Sequence, residues 1–200
     1  MNQLQETSIQ KLGLRNGIIA GILSIVYTLV LYSMGGDLMF KTSVQMLGNV
    51  FLVGTMIYTV QSYRKAHGNY VSFKQAFGGA FSVGVLGILI PLVFAYMLYA
   101  FIDPELTMRL KDYSVKVSIE MFQWFNMSED QIEEALDKIK EQDYSPTIAN
   151  YAKGYAGGLL MGALFAVIIA LVFWIISRKN EPTPDLASFG TDTDQNILDN

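Results

Sequence analysis

The strongest constraint on this chain is where its charges are missing. No Asp, Glu, Lys, Arg or His falls in four stretches, Asn16 to Gly36, Thr42 to Tyr63, Gln75 to Ile102 and Gly154 to Ser177. An ionised side chain at the centre of a lipid-embedded helix costs roughly 2.5 to 3.5 kcal/mol, so charge-free runs of this length are what a bilayer demands. Each run reaches the roughly 20 residues that cover about 30 Å of hydrocarbon at about 1.5 Å per residue. Continuous apolar runs are helical spans rather than the alternating strands of a barrel. With 52% hydrophobic residues, the chain is predicted to be all-α: a four-helix transmembrane bundle with spans at about 14–34, 43–62, 74–101 and 154–177, whose first partner is the lipid bilayer.

The first span has Lys11 and Arg15 ahead of it, but its apolar length exceeds a signal-peptide core and no A-x-A site follows, so it is expected to be retained. The second is the least apolar, interrupted by Gln45, Gly48, Asn49 and Gly54. The third opens on Ser72 with Gln75 three residues on, a capping box that starts a helix near Phe73 and carries it to about Phe101. That length exceeds the bilayer, and tilt or a kink near Pro91 is expected to absorb the excess.

Short flanks set the orientation. Lys11, Arg15, Arg64, Lys65, Lys74, Arg178 and Lys179 all fall on one side, and the positive-inside rule places that side, with both termini, in the cytoplasm. Tyr58, Tyr63, Tyr70 and Trp174 then mark the inner interface and Tyr32, Tyr96, Tyr99 and Tyr155 the outer one. Residues 1–12 form a cytoplasmic lead, 13–179 the membrane domain, and 180–200, rich in Pro and Asp, a disordered cytoplasmic tail.

Residues 102–153 are predicted to be an extramembrane amphipathic helical hairpin between the third and fourth spans. Asp103 suits an N-cap and Pro104 the first helical position. Leu106, Leu110, Tyr113, Val117, Met121 and Trp124 recur at helical spacing and form one greasy face, a candidate surface for a partner. A second helix, begun by Ser128 and Gln131, carries Ile132, Leu136 and Ile139 on one side and pairs Glu134 with Lys138. The two faces are expected to pack together, lie on the outer leaflet, or meet a partner.

Small residues recur every four positions: Gly13, Gly17 and Gly21; Ala76, Ala80 and Gly84; Gly154, Gly158, Gly162, Ala166 and Ala170. Such ridges let helix backbones approach closely, within one bundle or between copies in a homo-oligomer. The long ridge on the fourth span predicts a central place for it. Gln45 and Asn49, one turn apart, either hydrogen-bond between helices or line a polar path. A polar cavity between the second, third and fourth spans would favour the path. His67, with no carboxylate or second histidine at ligand spacing, is expected to be a solvated loop residue, and the acidic run from Glu129 to Asp137 lacks the glycine turn of an EF-hand.

A net charge of -4 argues against nucleic acid as a partner, and the absence of cysteine removes disulfides, thiolate metal sites and cysteine nucleophiles. No G-x-S-x-G, H-E-x-x-H or P-loop occurs and no Asp, Glu, Lys or His lies within the four charge-free runs, so no enzyme activity, cofactor or metal is expected.

Taken in order, GLRNGIIAG from Gly13, YVSFKQAFGGAF from Tyr70, IDPEL from Ile102, MSEDQIEEAL from Met127 and the later Ser145-Pro146 resemble a bacterial membrane family of unknown function, DUF4199, over roughly residues 10 to 180. The resemblance implies a multi-pass protein of the Gram-negative inner membrane with a periplasmic helical loop, and supplies no catalytic or binding residues. Together these features predict a non-enzymatic membrane protein acting by assembly with itself or another membrane protein through its loop. The alternative is a transporter or channel subunit with a path near Gln45 and Asn49.

Overall fold

The computed structural model describes residues 8–178 except 142. The lead before residue 8 and the tail 180–200 lie outside the described residues. The described residues form six α-helices: α1 Ile9–Met34, α2 Thr42–Ala66, α3 Phe73–Met97, α4 Glu105–Trp124, α5 Glu129–Glu141 and α6 Ile148–Ser177. A 3-10 turn, Gly36–Phe40, joins α1 to α2, and a π-helical turn, Leu98–Ile102, extends α3 towards α4.

α1, α2, α6 and α3 with its π-turn are each long and apolar enough to cross a membrane, α2 being the least apolar. Their packing is inverted relative to a soluble domain. Ala20, Ala76, Ala80, Ala166 and Ala170 are fully buried, whereas Met34, Val50, Leu160 and Ile175 lie on the outside. Water would not tolerate so large an apolar surface; lipid solvates it without cost and leaves the interior to residues small enough for backbones to meet. This is the exposure pattern of a membrane protein.

The Ser72–Gln75 capping box is formed in full, so α3 starts at Phe73. α3 is also the hub: it packs against α1, α2 and α6, while α1 and α6 do not touch. The long ridge on the fourth span had pointed to α6 as the centre. Ridge length is a poor guide because the outer end of that ridge is unused: a Cβ built on Gly154 meets nothing within 4 Å.

The four spans have two ends, a basic end with Lys11, Arg15, Arg64, Lys65, Lys74 and Arg178, and a hairpin end where α4 and α5 attach. The buried residues of α1, α2, α3 and α6 gather towards the basic end, from Ile9 to Gly21, Met56 to Val60, Ala76 to Gly87 and Gly162 to Ser177, with Gly87 and Gly162 near mid-helix. Burial in the bundle is therefore concentrated towards the basic end.

At the hairpin end a separate cluster of Met39, Phe40, Leu98 and Leu106 ties the 3-10 turn, the π-turn and α4 together, with Leu110 and Tyr113 packed against it. The start of α4 differs from expectation. Asp103 makes no side-chain cap; its carboxylate instead accepts a hydrogen bond from the Tyr32 hydroxyl at 3.1 Å, and the helix begins at Glu105.

Candidate functional site

Three features of the bundle bear on function: the α1–α3 seam, the apolar pair α4–α5, and a polar cleft. In the seam, Gly13 and Gly17 lie directly on the backbone of α3. An added Cβ would come within 2.5 Å of the Gly79 carbonyl oxygen at Gly13, and within 2.7 Å of the Val83 carbonyl oxygen at Gly17. Gly21 faces the Ile90 side chain, Ala80 is fully buried, and a Cβ added at Gly84 would come within 3.1 Å of the Met56 methyl. On α6, Gly158 and Gly162 seat Ile88.

Beside the seam is a polar contact that residue spacing had not revealed. Asn16 is buried and donates through Nδ2 to the Thr59 hydroxyl at 2.9 Å, linking α1 to α2. The one available signal was an amide set between Gly13 and Gly17, within the ridge itself. At the basic end the Arg64 guanidinium donates to the Asn69 carbonyl and the buried Ser177 hydroxyl, while Arg178 lies over the Trp174 ring at 4.9 Å. His67 stacks on Tyr63 with ring centroids 3.9 Å apart. Among the described residues no group of three His, Cys, Asp or Glu could hold a metal ion.

The stripe from Leu106 to Trp124 divides in two. Leu106, Leu110 and Tyr113 are used internally, in the cluster with Met39 and Phe40. Val117 is half-buried, and beyond it Met121 and Trp124 turn outward; Trp124 is 78% exposed and meets Phe125 edge-on at 5.0 Å. α5 packs back on α4 through a face on which Ile132, Leu136 and Ile139 are half-buried. Its outer face carries the Glu134–Lys138 ion pair, in which the Lys138 hydrogen bond holds the Glu134 carboxyl below its usual range. In the loop before α6, the Asp143 carboxyl is likewise held low by hydrogen bonds, chiefly from Ser145 and then from Asn150.

Gln45 and Asn49 share a face of α2 and line a cleft of about 420 Å³. Its walls are α1, α2 and α3 rather than the second, third and fourth spans, because α2 leans on α1 through the Tyr27 hydroxyl, which donates to the Val44 carbonyl at 2.7 Å. The other polar residues lining it are Ser24, Tyr27, Thr28 and Tyr99, and none of the lining residues is charged. Gln45 donates to the Met39 carbonyl at 3.2 Å and so fixes the 3-10 turn. Asn49, one turn deeper, has no hydrogen-bond partner among the described residues.

A sequence model of a family described as "Protein of unknown function (DUF4199)" matches residues 15–174. No curated protein and no solved structure matches the chain.

Proposed function

We propose, from the premise that the chain belongs to the DUF4199 family, that it is a non-enzymatic multi-pass protein of the bacterial inner membrane which acts by assembly, presenting α4 and α5 as a periplasmic contact hairpin. The cations at the basic end support a cytoplasmic placement of that end and of both termini, which leaves the hairpin outside. One observation carries the reading: α4 spends the first half of its apolar stripe on anchoring itself and leaves the second half, Met121, Trp124 and Phe125, open. An anchored helix with an exposed aromatic tip has the composition of an interface core, where Trp, Phe and Met are enriched. Trp124 is the central anchor in this reading, and the partner is a second membrane protein or another copy of the chain.

Photocrosslinking in native membranes tests it. A benzophenone side chain at position 124 is expected to capture a discrete partner, and Trp124→Ala to lose that partner in co-purification while the bundle stays folded. A chain that remains monomeric and partnerless with or without its hairpin overturns the reading.

A further inference from the structure

The less buried half of the bundle holds the cleft between α1, α2 and α3, and its chemistry is specific. Beyond the unpartnered Asn49 amide, the Tyr99 hydroxyl also has no hydrogen-bond partner among the described residues. Pro91 has no N–H, so the helix supplies no donor to the Gly87 carbonyl, and Gly87 and Pro91 both line the cleft. Ser24 and Thr28 donate to their own helix, to the Ala20 and Ser24 carbonyls, which leaves their oxygens free to accept. An amide left unpaired in hydrocarbon costs several kcal/mol, so groups like these persist within a span where water or a polar ligand reaches them.

Towards the basic end the cleft is closed. Leu52 presses against Gly87, where a Cβ would come within 2.6 Å of its methyl, and below it the fully buried Met56, Val60 and Val83 form a dry layer. The volume lies within the roughly 300 to 1,000 Å³ typical of small-molecule sites. Because no lining residue is charged, an ion entering would lose hydration with no counter-charge to replace it, whereas hydroxyl and amide groups would find both donors and acceptors.

We infer that this cleft is a water-filled binding site, closed towards the basic end, that takes small uncharged polar solutes. The inference is independent of the assembly reading, which concerns another surface. The chain contains no cysteine, so single-cysteine variants in liposomes read it directly. Ser24→Cys and Asn49→Cys report the cleft, Leu47→Cys the lipid-facing side of α2, and Ser128→Cys free solvent. Two thiol reagents of similar size are used, neutral 2-hydroxyethyl methanethiosulfonate and its anionic 2-sulfonatoethyl analogue, each rate being divided by that at Ser128→Cys.

The neutral reagent is expected to modify both cleft positions at least tenfold faster than Leu47→Cys, and at least tenfold faster than the anionic reagent does. Acetamide is expected to slow modification of Ser24→Cys at least twofold, acetate at equal concentration to have no effect, and Asn49→Leu to abolish the protection. Cleft cysteines no faster than Leu47→Cys, or an Asn49→Cys that forms a disulfide with a second copy, would show the cleft dry or covered and overturn the inference. Equal entry of the anionic reagent, or absence of protection by acetamide, overturns it as well. Should Asn49→Cys not fold, Ser24→Cys carries the same comparison.

Discussion

The two halves of the bundle are held together by opposite means. Nearer the basic end, glycines and alanines bring backbones into contact; nearer the hairpin end, the buried side chains among the described residues are those of the cluster around Leu106, to which the third span contributes Leu98 through its π-turn. In lipid there is no hydrophobic drive to press helices together, so close packing arises only where side chains are small enough to permit it. The difference separates a part built for cohesion from a part built for access, and substitutions can test whether that division holds.

The largest effect is expected at Gly17→Leu. The new side chain would strike the α3 backbone, which cannot rotate aside, and the loss should reach about 3 kcal/mol or more, seen as aggregation or a collapsed Tm in detergent. Gly154→Leu, on the unused end of the α6 ridge, is expected to stay within about 0.5 kcal/mol of the parent. Similar losses at both sites would dissolve the contrast between the halves.

Leu106→Ala is expected to cost about 2 to 4 kcal/mol, since Leu106 is fully buried in the cluster at its end. The signature should be selective: protease sensitivity in α4 and α5 with the four spans intact. Unfolding of the whole chain would show that the two ends stabilise one another.

A smaller change, about 1 kcal/mol, is expected for Thr59→Val, which removes the partner of the buried Asn16 amide. Asn16→Leu with Thr59→Val, which removes both polar groups, should recover part of it in a double-mutant cycle of thermal stability.

The smallest effect is one of pH. The Asp143 carboxyl is held below its usual range by Ser145 and Asn150, so the order it brings to the loop before α6 is fully present above the ordinary carboxylate range. That order is lost as pH falls through the lowered value. Amide exchange at Ser145 should quicken under acid while exchange in α3 does not; unchanged exchange at Ser145 would refute the assignment.

The spans were legible because charge exclusion is a property of each segment by itself. The capping box at Ser72 is local too, and its helix begins at Phe73. What could not be read was set between segments. Residue spacing placed Gly13, Gly17 and Gly158 on ridges, but not which ridge would be met by another backbone, and so it favoured α6 as the centre over α3. Asp103 had the chemistry of a cap, and only the arrival of Tyr32 from another helix redirected it. Gln45 and Asn49 looked alike one turn apart, yet the 3-10 turn gives Gln45 a carbonyl to hold and leaves Asn49 none. The cleft was invisible for the same reason, since its walls come from three separate helices.

Pro91 sits beyond the midpoint of α3, the hub helix, and lines the cleft. Beyond it the chain runs through the π-turn to Asp103 and Leu106 and so into the hairpin. A missing hydrogen bond there acts as a soft joint in an otherwise stiff rod, and a few degrees of flexure would be magnified along α4 at the indole of Trp124. Whatever crowds the cleft and whatever grips the hairpin tip would then pull on opposite ends of one lever.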